Sequence, residues 1–563
     1  MRWQAGTAIL IAATLRLAAQ TSDAVIHAAS ELDEQAAKAP GALSIELRVK
    51  AAYALQDSFP DLARGLVQRS IGQLRSGRNW QITPAVMSTL ATLAPTDVAD
   101  ILPLMAPEYA SFVIDGLAKV NQIDAARAVY RSSLARGGRV TAAFGLLIQL
   151  ANNKSPLAAD VCRDMLSGFS FNALEPDDAW WILTSLTTLV RDVAPEAAAD
   201  GAARVIDAVA APGYGDRGAT SLHGQFQVGS RAVTTQNSRD TLLLMAGAQL
   251  HALAPEQFEN RRALFSQWDL TGSFAVTSIA GFGHSPNDKT VFTTPRRPQD
   301  AILVFDHLAQ LQGAAEGDRA TLILGLSREI RALRPSGSKL DLAVALWQAA
   351  TRGDAGKEAL TAVASTLGQA IRDSQPTEDP SVVATSFSDD YIKLAELIRY
   401  ENAPAPFDDP ALRAADSLLA LRERLLEHTG FNLIGLDGKT YSLSSARGLV
   451  VLVVFFTAQC PRYLTCDVPV PGFESLQQEL KAKGLAVFGI SSDERESLVE
   501  FVQDGKLTYP ILLDPDGKAA ALFDEKGTNQ SFVFDRQGKL IARATNTRTE
   551  RQLRQMLRKA GVE

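Results

Sequence analysis

Leu449-Val450-Val451-Leu452-Val453-Val454-Phe455-Phe456, followed at once by Thr457-Ala458-Gln459-Cys460-Pro461, is the stretch on which the reading of this 563-residue chain turns. A run of β-branched, leucine and aromatic residues with no polar alternation is what a strand covered on both faces requires. Such a strand needs helices on either side of its sheet, so the segment around it is predicted to be α/β. Pro461 suits the first position of a helix, which puts Cys460 at a helix N-terminus. Unpaired backbone N–H groups and the helix dipole favour a thiolate there, and Arg462 adds a positive charge. The pKa of Cys460 is therefore expected to fall and its nucleophilicity at neutral pH to rise.

Working outward, Leu436-Asp437-Gly438-Lys439 is a turn signal. A helix starting near Gly472 and ending at Lys483-Gly484 leads into a second buried strand, Ala486 to Ser491. Asp493 to Gly505 reads as helix and Pro510 to Leu513 as a short strand. Ser531 to Phe534 and Lys539 to Ala544 read as a hairpin around Asp535-Arg536-Gln537-Gly538, and Thr549 to Lys559 as a closing helix.

Five landmarks occur in this order: Asp437-Gly438-Lys439, Phe455 to Pro461, Gly489-Ile490-Ser491-Ser492-Asp493, Tyr509 to Asp514, and Ser531 to Lys539. With them, residues 431–563 resemble the thioredoxin-like redoxins, namely the alkyl hydroperoxide reductase and thiol-specific antioxidant (peroxiredoxin) family and the thiol–disulfide oxidoreductases. The resemblance implies a thioredoxin-like domain that exchanges thiols and disulfides or reduces peroxide. Cys460 would be the attacking thiol, and Thr457, three residues earlier, would match the peroxiredoxin threonine that helps position a peroxide. An external thiol donor, thioredoxin-like or a membrane reductase, would supply electrons, and no metal or organic cofactor is implied.

The sequence departs from both family patterns. Val453 stands where the peroxiredoxin motif has proline, and that family's arginine is not evident near Asn529 and Gln530. Tyr463 stands where the oxidoreductases have their second cysteine, and Asn529 where they have a cis-proline. The remaining partner is Cys466, the candidate resolving thiol. In a continuous helix six residues rise about 9 Å and point to different faces, too far for a disulfide whose Cα atoms lie within about 7 Å. Pairing of Cys460 with Cys466 therefore needs a non-helical or locally unwound segment, and Pro469 and Pro471 favour one.

The rest of the chain reads differently. From about Ser22 to His428 apolar residues recur at spacings of three and four between Pro and Gly breaks, as in Pro60 to Gly77, Glu108 to Val120 and Gln122 to Arg136. Short-linked amphipathic helices of this kind predict an all-α region, an α-solenoid or helical bundle, with no named repeat consensus. The expected organisation is a signal peptide at 1–20, a helical repeat-like region at 21–211, an irregular glycine-rich junction at 212–300, a second helical region and linker at 301–430, and the redoxin domain at 431–563. Gly281 and Gly283 lack both a preceding strand and a following Gly-Lys-Ser/Thr, so they do not read as a phosphate loop. Cys162, on a helix, is expected to be a packed small hydrophobe.

Composition narrows the function classes. Hydrophobic residues are 46% and charged residues 21%, as in ordinary globular proteins. With 56 basic and 63 acidic side chains the formal charge is -7, which gives no electrostatic reason to bind nucleic acid. Three cysteines and six histidines show no zinc-site spacing. Arg2 followed by the apolar stretch Ala5 to Leu15 reads as a secretory signal, which predicts an exported, periplasmic or extracellular protein with no integral membrane segment in the mature chain. The leading expectation is a redoxin-type thiol oxidoreductase whose helical region docks a protein partner. The alternatives are a non-enzymatic scaffold and a redox sensor.

Overall fold

A computed structural model describes residues 22–562 except 78–81, 106–108, 137–139, 169, 172–173, 215–219, 229–230, 269–273, 285–303, 305–306, 309, 312–313, 336, 352–354, 375–387, 459–469, 516, 524–529 and 545–549. The chain forms two compact units. One comprises residues 74–296, and the other joins residues 1–73 to 297–563. No described helix is long and apolar enough to cross a membrane.

The unit of residues 74–296 is mainly helical. The helices expected near 108–120 and 122–136 are Ala110–Lys119 and Ile123–Ala135, and each buries one apolar stripe. The stretch 212–236, expected to be an irregular loop, instead contains two strands. These are β1 (Thr220–Val228) and β2 (Arg231–Thr235), and with β3 (Phe274–His284) they form an antiparallel sheet of order β2-β1-β3. Within β1, Leu222, Gly224, Phe226 and Val228 are buried in a period of two, so the strand signal was present but was masked by glycine. Gly224 is required for packing, because a Cβ there would lie 2.5 Å from the Phe226 ring.

Cys162 lies fully buried in the helix Leu157–Gly168, and burial pushes its thiol pKa up to about 12. It is therefore chemically silent at neutral pH. Iodoacetamide treatment of the native chain at pH 7 followed by peptide mass spectrometry is expected to leave Cys162 unmodified, with labelling only after denaturation.

In the other unit, the helix Gly41–Leu55 buries a charged side chain, Glu46. Its Oε2 accepts from the backbone N (2.9 Å) and hydroxyl of Ser388, the first residue of α1 (Ser388–Tyr400). Helix α1 pairs with α2 (Pro410–His428), whose start is capped by Asp409 accepting from Leu412 N at 2.8 Å. Arg399 forks onto Glu423 at 2.8 and 2.7 Å, and the Tyr400 hydroxyl donates to the same carboxylate at 3.0 Å.

Seven strands follow in one mixed sheet. They are β4 (Asn432–Gly435), β5 (Thr440–Ser442), β6 (Val450–Phe455), β7 (Leu485–Ser491), β8 (Ile511–Leu513), β9 (Ser531–Phe534) and β10 (Leu540–Ala544), in the order β10-β9-β6-β7-β8-β4-β5. The central strand β6 runs parallel to β7 and antiparallel to β9. Helices α3 (Val470–Leu480), α4 (Arg495–Gly505), α5 (Lys518–Phe523) and α6 (Glu550–Lys559) complete the domain. The elements expected from the sequence lie within a few residues of their predictions, β6 beginning one residue later at Val450, whereas β4, β5 and α5 were not anticipated. Two tight turns use glycine in the left-handed region, Gly438 at φ 80° and Gly538 at φ 83°.

Every residue of β6 is buried. Val450, Leu452 and Val454 pack with Phe473 and Leu476 of α3, Leu498 of α4 and Leu553 and Leu557 of α6. Val451, Val453 and Phe455 face the other way and pack with Phe431, Phe523 of α5, Phe532, Phe534 and Leu426 of α2. The second face of the redoxin sheet is thus closed partly by a helix that precedes the redoxin segment. Arg543 of β10 adds a buried ion pair to Glu396 of α1 at 3.2 Å and stands 5.3 Å from the Phe532 ring centre. Replacing Leu426 with alanine in the full chain is expected to destabilise this unit by about 2–5 kcal/mol. Amide hydrogen exchange of β6 and β9 should accelerate accordingly, while the strands of the 74–296 unit keep their wild-type rates.

Candidate active site

The carboxyl ends of β6 and β7 lie side by side, because the two strands are parallel and in register from Val450 opposite Leu485 to Phe455 opposite Ile490. Beyond its last strand residue the chain is still held. Phe456 N donates to Ile490 O at 3.1 Å, and the buried Phe456 ring stacks on Phe501 of α4 at 5.2 Å. On the other side Phe455 N donates to the carbonyl of Gln530 at 3.0 Å, just before β9. The chain therefore leaves the sheet between the ends of two neighbouring strands, a placement typical of reactive groups in α/β folds.

Asp493, in the turn between β7 and α4, fixes the next two residues. The Thr457 hydroxyl donates to its carboxylate, with distances of 3.0 Å to Oδ1 and 2.9 Å to Oδ2, and Ala458 N donates to Oδ2. The aspartate is itself oriented by its own N–H, which donates to Ser491 Oγ at 3.2 Å. Asp493 was not singled out from the sequence. It belongs to the landmark Gly489 to Asp493, but its partner lies 36 residues away, and only the parallel pairing of β6 and β7 brings the two together.

Gln530 borders the same end of β6. Its side chain is buried, and its Oε1 has no hydrogen-bond partner among the described residues. Glu474, early in α3, anchors that helix to the segment entering β8. Its carboxylate accepts from Thr508 N, Thr508 Oγ1 and Gln478 Nε2, each at 2.7 Å. Burial works to raise the pKa of this carboxyl, but the bonds from Thr508 and Gln478 prevail and hold it below the ordinary glutamate value. In the same unit a cleft of about 650 Å³ is lined by residues that include Tyr53, Phe431, Ile434, Leu513 and Lys518, together with Arg495, which stands two residues after Asp493.

Of the site residues expected from the sequence, Thr457 sits at the carboxyl end of β6 in contact with Asp493. Cys460, Arg462 and Cys466 lie outside the described residues. Among the described residues no group of His, Cys, Asp or Glu is arranged to hold a metal ion.

Comparison with known proteins matches residues 427–543 to the AhpC/TSA family. The thiol-disulfide oxidoreductase ResA of Bacillus thuringiensis is 27% identical over 134 residues, covering 24% of this chain and 76% of that protein. A candidate peroxiredoxin of Mycobacterium tuberculosis, MT2597, is 31% identical over 133 residues, covering 21% of this chain and 82% of that protein. Among solved structures, a thiol:disulfide interchange protein of the thioredoxin family from Chlorobium tepidum is 22% identical, covering 23% of this chain and 92% of its own, with a TM-score of 0.21. The family match over residues 427–543 and the 31% identity to the mycobacterial protein agree with the order of the landmarks, and through residues 427–543 the chain belongs to the AhpC/TSA family.

Proposed function

We propose that this protein is a thiol-based oxidoreductase in which Cys460 attacks the substrate and Cys466 resolves the intermediate. The observation that carries the reading is the clamp at the end of β6. Thr457 and Ala458 are fixed by Asp493 at the carboxyl end of a strand buried on both faces, two residues before Cys460. A nucleophile needs such a rigid base, since a displacement of about 1 Å at a reacting atom costs roughly a hundredfold in rate. The thiolate of Cys460 is favoured by Arg462 and by the helix N-terminus that Pro461 predicts.

With a disulfide substrate, the Cys460 thiolate attacks one sulfur, a mixed disulfide forms, and the substrate S–S bond breaks. The first substrate thiolate leaves and takes a proton from water. Cys466 then attacks the Cys460 sulfur, the Cys460–Cys466 disulfide forms, and the second substrate thiol is released. Two electrons pass to the substrate, and an external thiol donor restores the pair. With a hydroperoxide, Cys460 would become a sulfenic acid that Cys466 condenses to the same disulfide, with loss of water.

The helical region, which exposes Leu104, Leu157 and Trp181, is assigned the docking of a protein partner. An exported location belongs to the same reading. It is supported by Arg2 and the Ala5 to Leu15 stretch, and it would place the cysteine pair in an oxidising compartment.

The test is intact-mass and peptide analysis of the full chain after treatment with an oxidised dithiol and, separately, a stoichiometric hydroperoxide. A loss of two hydrogens that maps to Cys460–Cys466, is reversed by a thiol donor and is absent in Cys460→Ser is expected. Two thiols that stay unmodified in the native chain under both treatments, yet react after denaturation, would overturn the reading in favour of a non-enzymatic scaffold.

A further inference from the structure

We propose that the cleft beside β4 binds an extended, largely apolar peptide segment with acidic side chains, which pairs with Asn432 as an added strand. The inference goes beyond the redox reading and does not depend on Cys460, because every residue it uses is a described residue of one unit.

The sheet is incomplete at this point. On one side β4 pairs with β5, and Gly435 N donates to Lys439 O at 2.8 Å. On the other it pairs with β8, and Leu436 N donates to Ile511 O at 2.9 Å. Bonding directions alternate from residue to residue along a strand. Phe431, Leu433 and Gly435 therefore bond toward β5, whereas Asn432, Ile434 and Leu436 bond toward β8. Leu443 N, donating to Phe431 O at 3.3 Å, agrees with this alternation. The β8 ladder stops at Ile434 opposite Leu513, because the chain then leaves it, with Asp514 N donating to Ser491 O at 2.9 Å. The next register position, opposite Asn432, would fall to Pro515, which has no N–H to give. The backbone N–H and C=O of Asn432 thus face the β8 side with no hydrogen-bond partner among the described residues.

The cleft of about 650 Å³ opens at this gap, and its size is ordinary for a ligand site. Its apolar part includes Leu433 and Leu522, half-buried against the phenylalanine cluster, and Ile434, which is 56% exposed. Covering that surface favours an apolar side chain. Arg495 and Lys518 add positive charge. Arg495 donates to the carbonyl of Leu436 at 2.6 Å, and neither cation has an acidic partner among the described residues. The buried Asp514 carboxylate is engaged elsewhere, accepting from Ala519 N at 3.1 Å and Ala520 N at 2.8 Å. Asp57, just after the helix Gly41–Leu55, is the one exposed carboxylate among the described lining residues, so the exposed charge is positive on balance. A small apolar anion would use the apolar surface and the cations but leave Asn432 unpaired. An extended peptide uses all three. One of its residues, running antiparallel to β4, exchanges both backbone bonds with Asn432, while alternate side chains meet the apolar surface and the cations.

The experiment is fluorescence anisotropy with the full chain and blocked, labelled peptides in which leucine or valine alternates with glutamate, lysine or serine. The glutamate peptides are expected to bind saturably, and the lysine peptides at least about fivefold more weakly. Lys518→Glu, at an exposed position, should cut the affinity for glutamate peptides about fivefold and shift the preference toward lysine. Methylating the peptide backbone nitrogens one at a time should weaken binding about threefold to tenfold at the residue whose N–H meets Asn432 O, and spare its two neighbours. Cys460→Ser should bind the peptides as the wild type does, which separates this outcome from the redox assignment. No saturable binding by any of the three peptide sets up to about 1 mM would overturn the proposal. Binding indifferent to every N-methyl group and displaced by octanoate would also overturn it and mark the cleft as a site for small apolar anions. A glutamate preference unchanged in Lys518→Glu would overturn it by placing the peptide elsewhere.

Discussion

Burial of β6 on both faces is the constraint from which the C-terminal architecture follows. Six consecutive buried residues leave no face on which the strand can meet water, so two separate covers are needed. One is supplied by α3, α4 and α6, which lie within the redoxin segment. The other is completed by α2, through Leu426, and by a cluster of phenylalanines in which Phe523 touches Phe455, Phe532 and Phe534. The matched family region begins at residue 427, so one residue of this cover lies just outside it.

The same constraint positions the loop that carries Thr457 and Ala458. A rigid strand in register with a parallel neighbour ends at a defined height, and the loop that follows β7 can then reach the loop that follows β6. Asp493 spans that gap. One carboxylate fixes two residues of the neighbouring loop. The buried ion pair between Glu396 and Arg543 acts at the opposite edge of the sheet and ties β10 to α1. Removing either partner would strand a charge in a dry environment, so the pair works more as a lock on register than as a source of net stability.

Much of this was legible in the sequence because the decisive signals were local. The apolar run of β6, the turns at Gly438 and Gly538 and the break at Lys483-Gly484 each announce themselves within a few residues, and the structure follows them closely. What was not legible depends on distance or on concealment. Asp493 reads as one acid in a polar turn until β6 and β7 are paired. Leu426 reads as any residue of an amphipathic stripe, since nothing in α2 says which surface it will cover. The strands β1 and β2 read as a loop because glycines interrupt the apolar period that Leu222, Phe226 and Val228 maintain. The resemblance to redoxins drew attention to Thr457, whereas its bond to Asp493 emerged only from the geometry.

The unit that carries the redoxin sheet is discontinuous, and that has a temporal consequence. Glu46 and Ser388 are 342 residues apart, yet one buried carboxylate joins them. At roughly 5–20 residues per second of synthesis, the early helix waits on the order of tens of seconds before its partner exists. In that interval the intervening unit of residues 74–296 can complete its own contacts, while Glu46 has yet to meet Ser388. The unit that carries the seven-stranded sheet is therefore the last whose residues are all available to close.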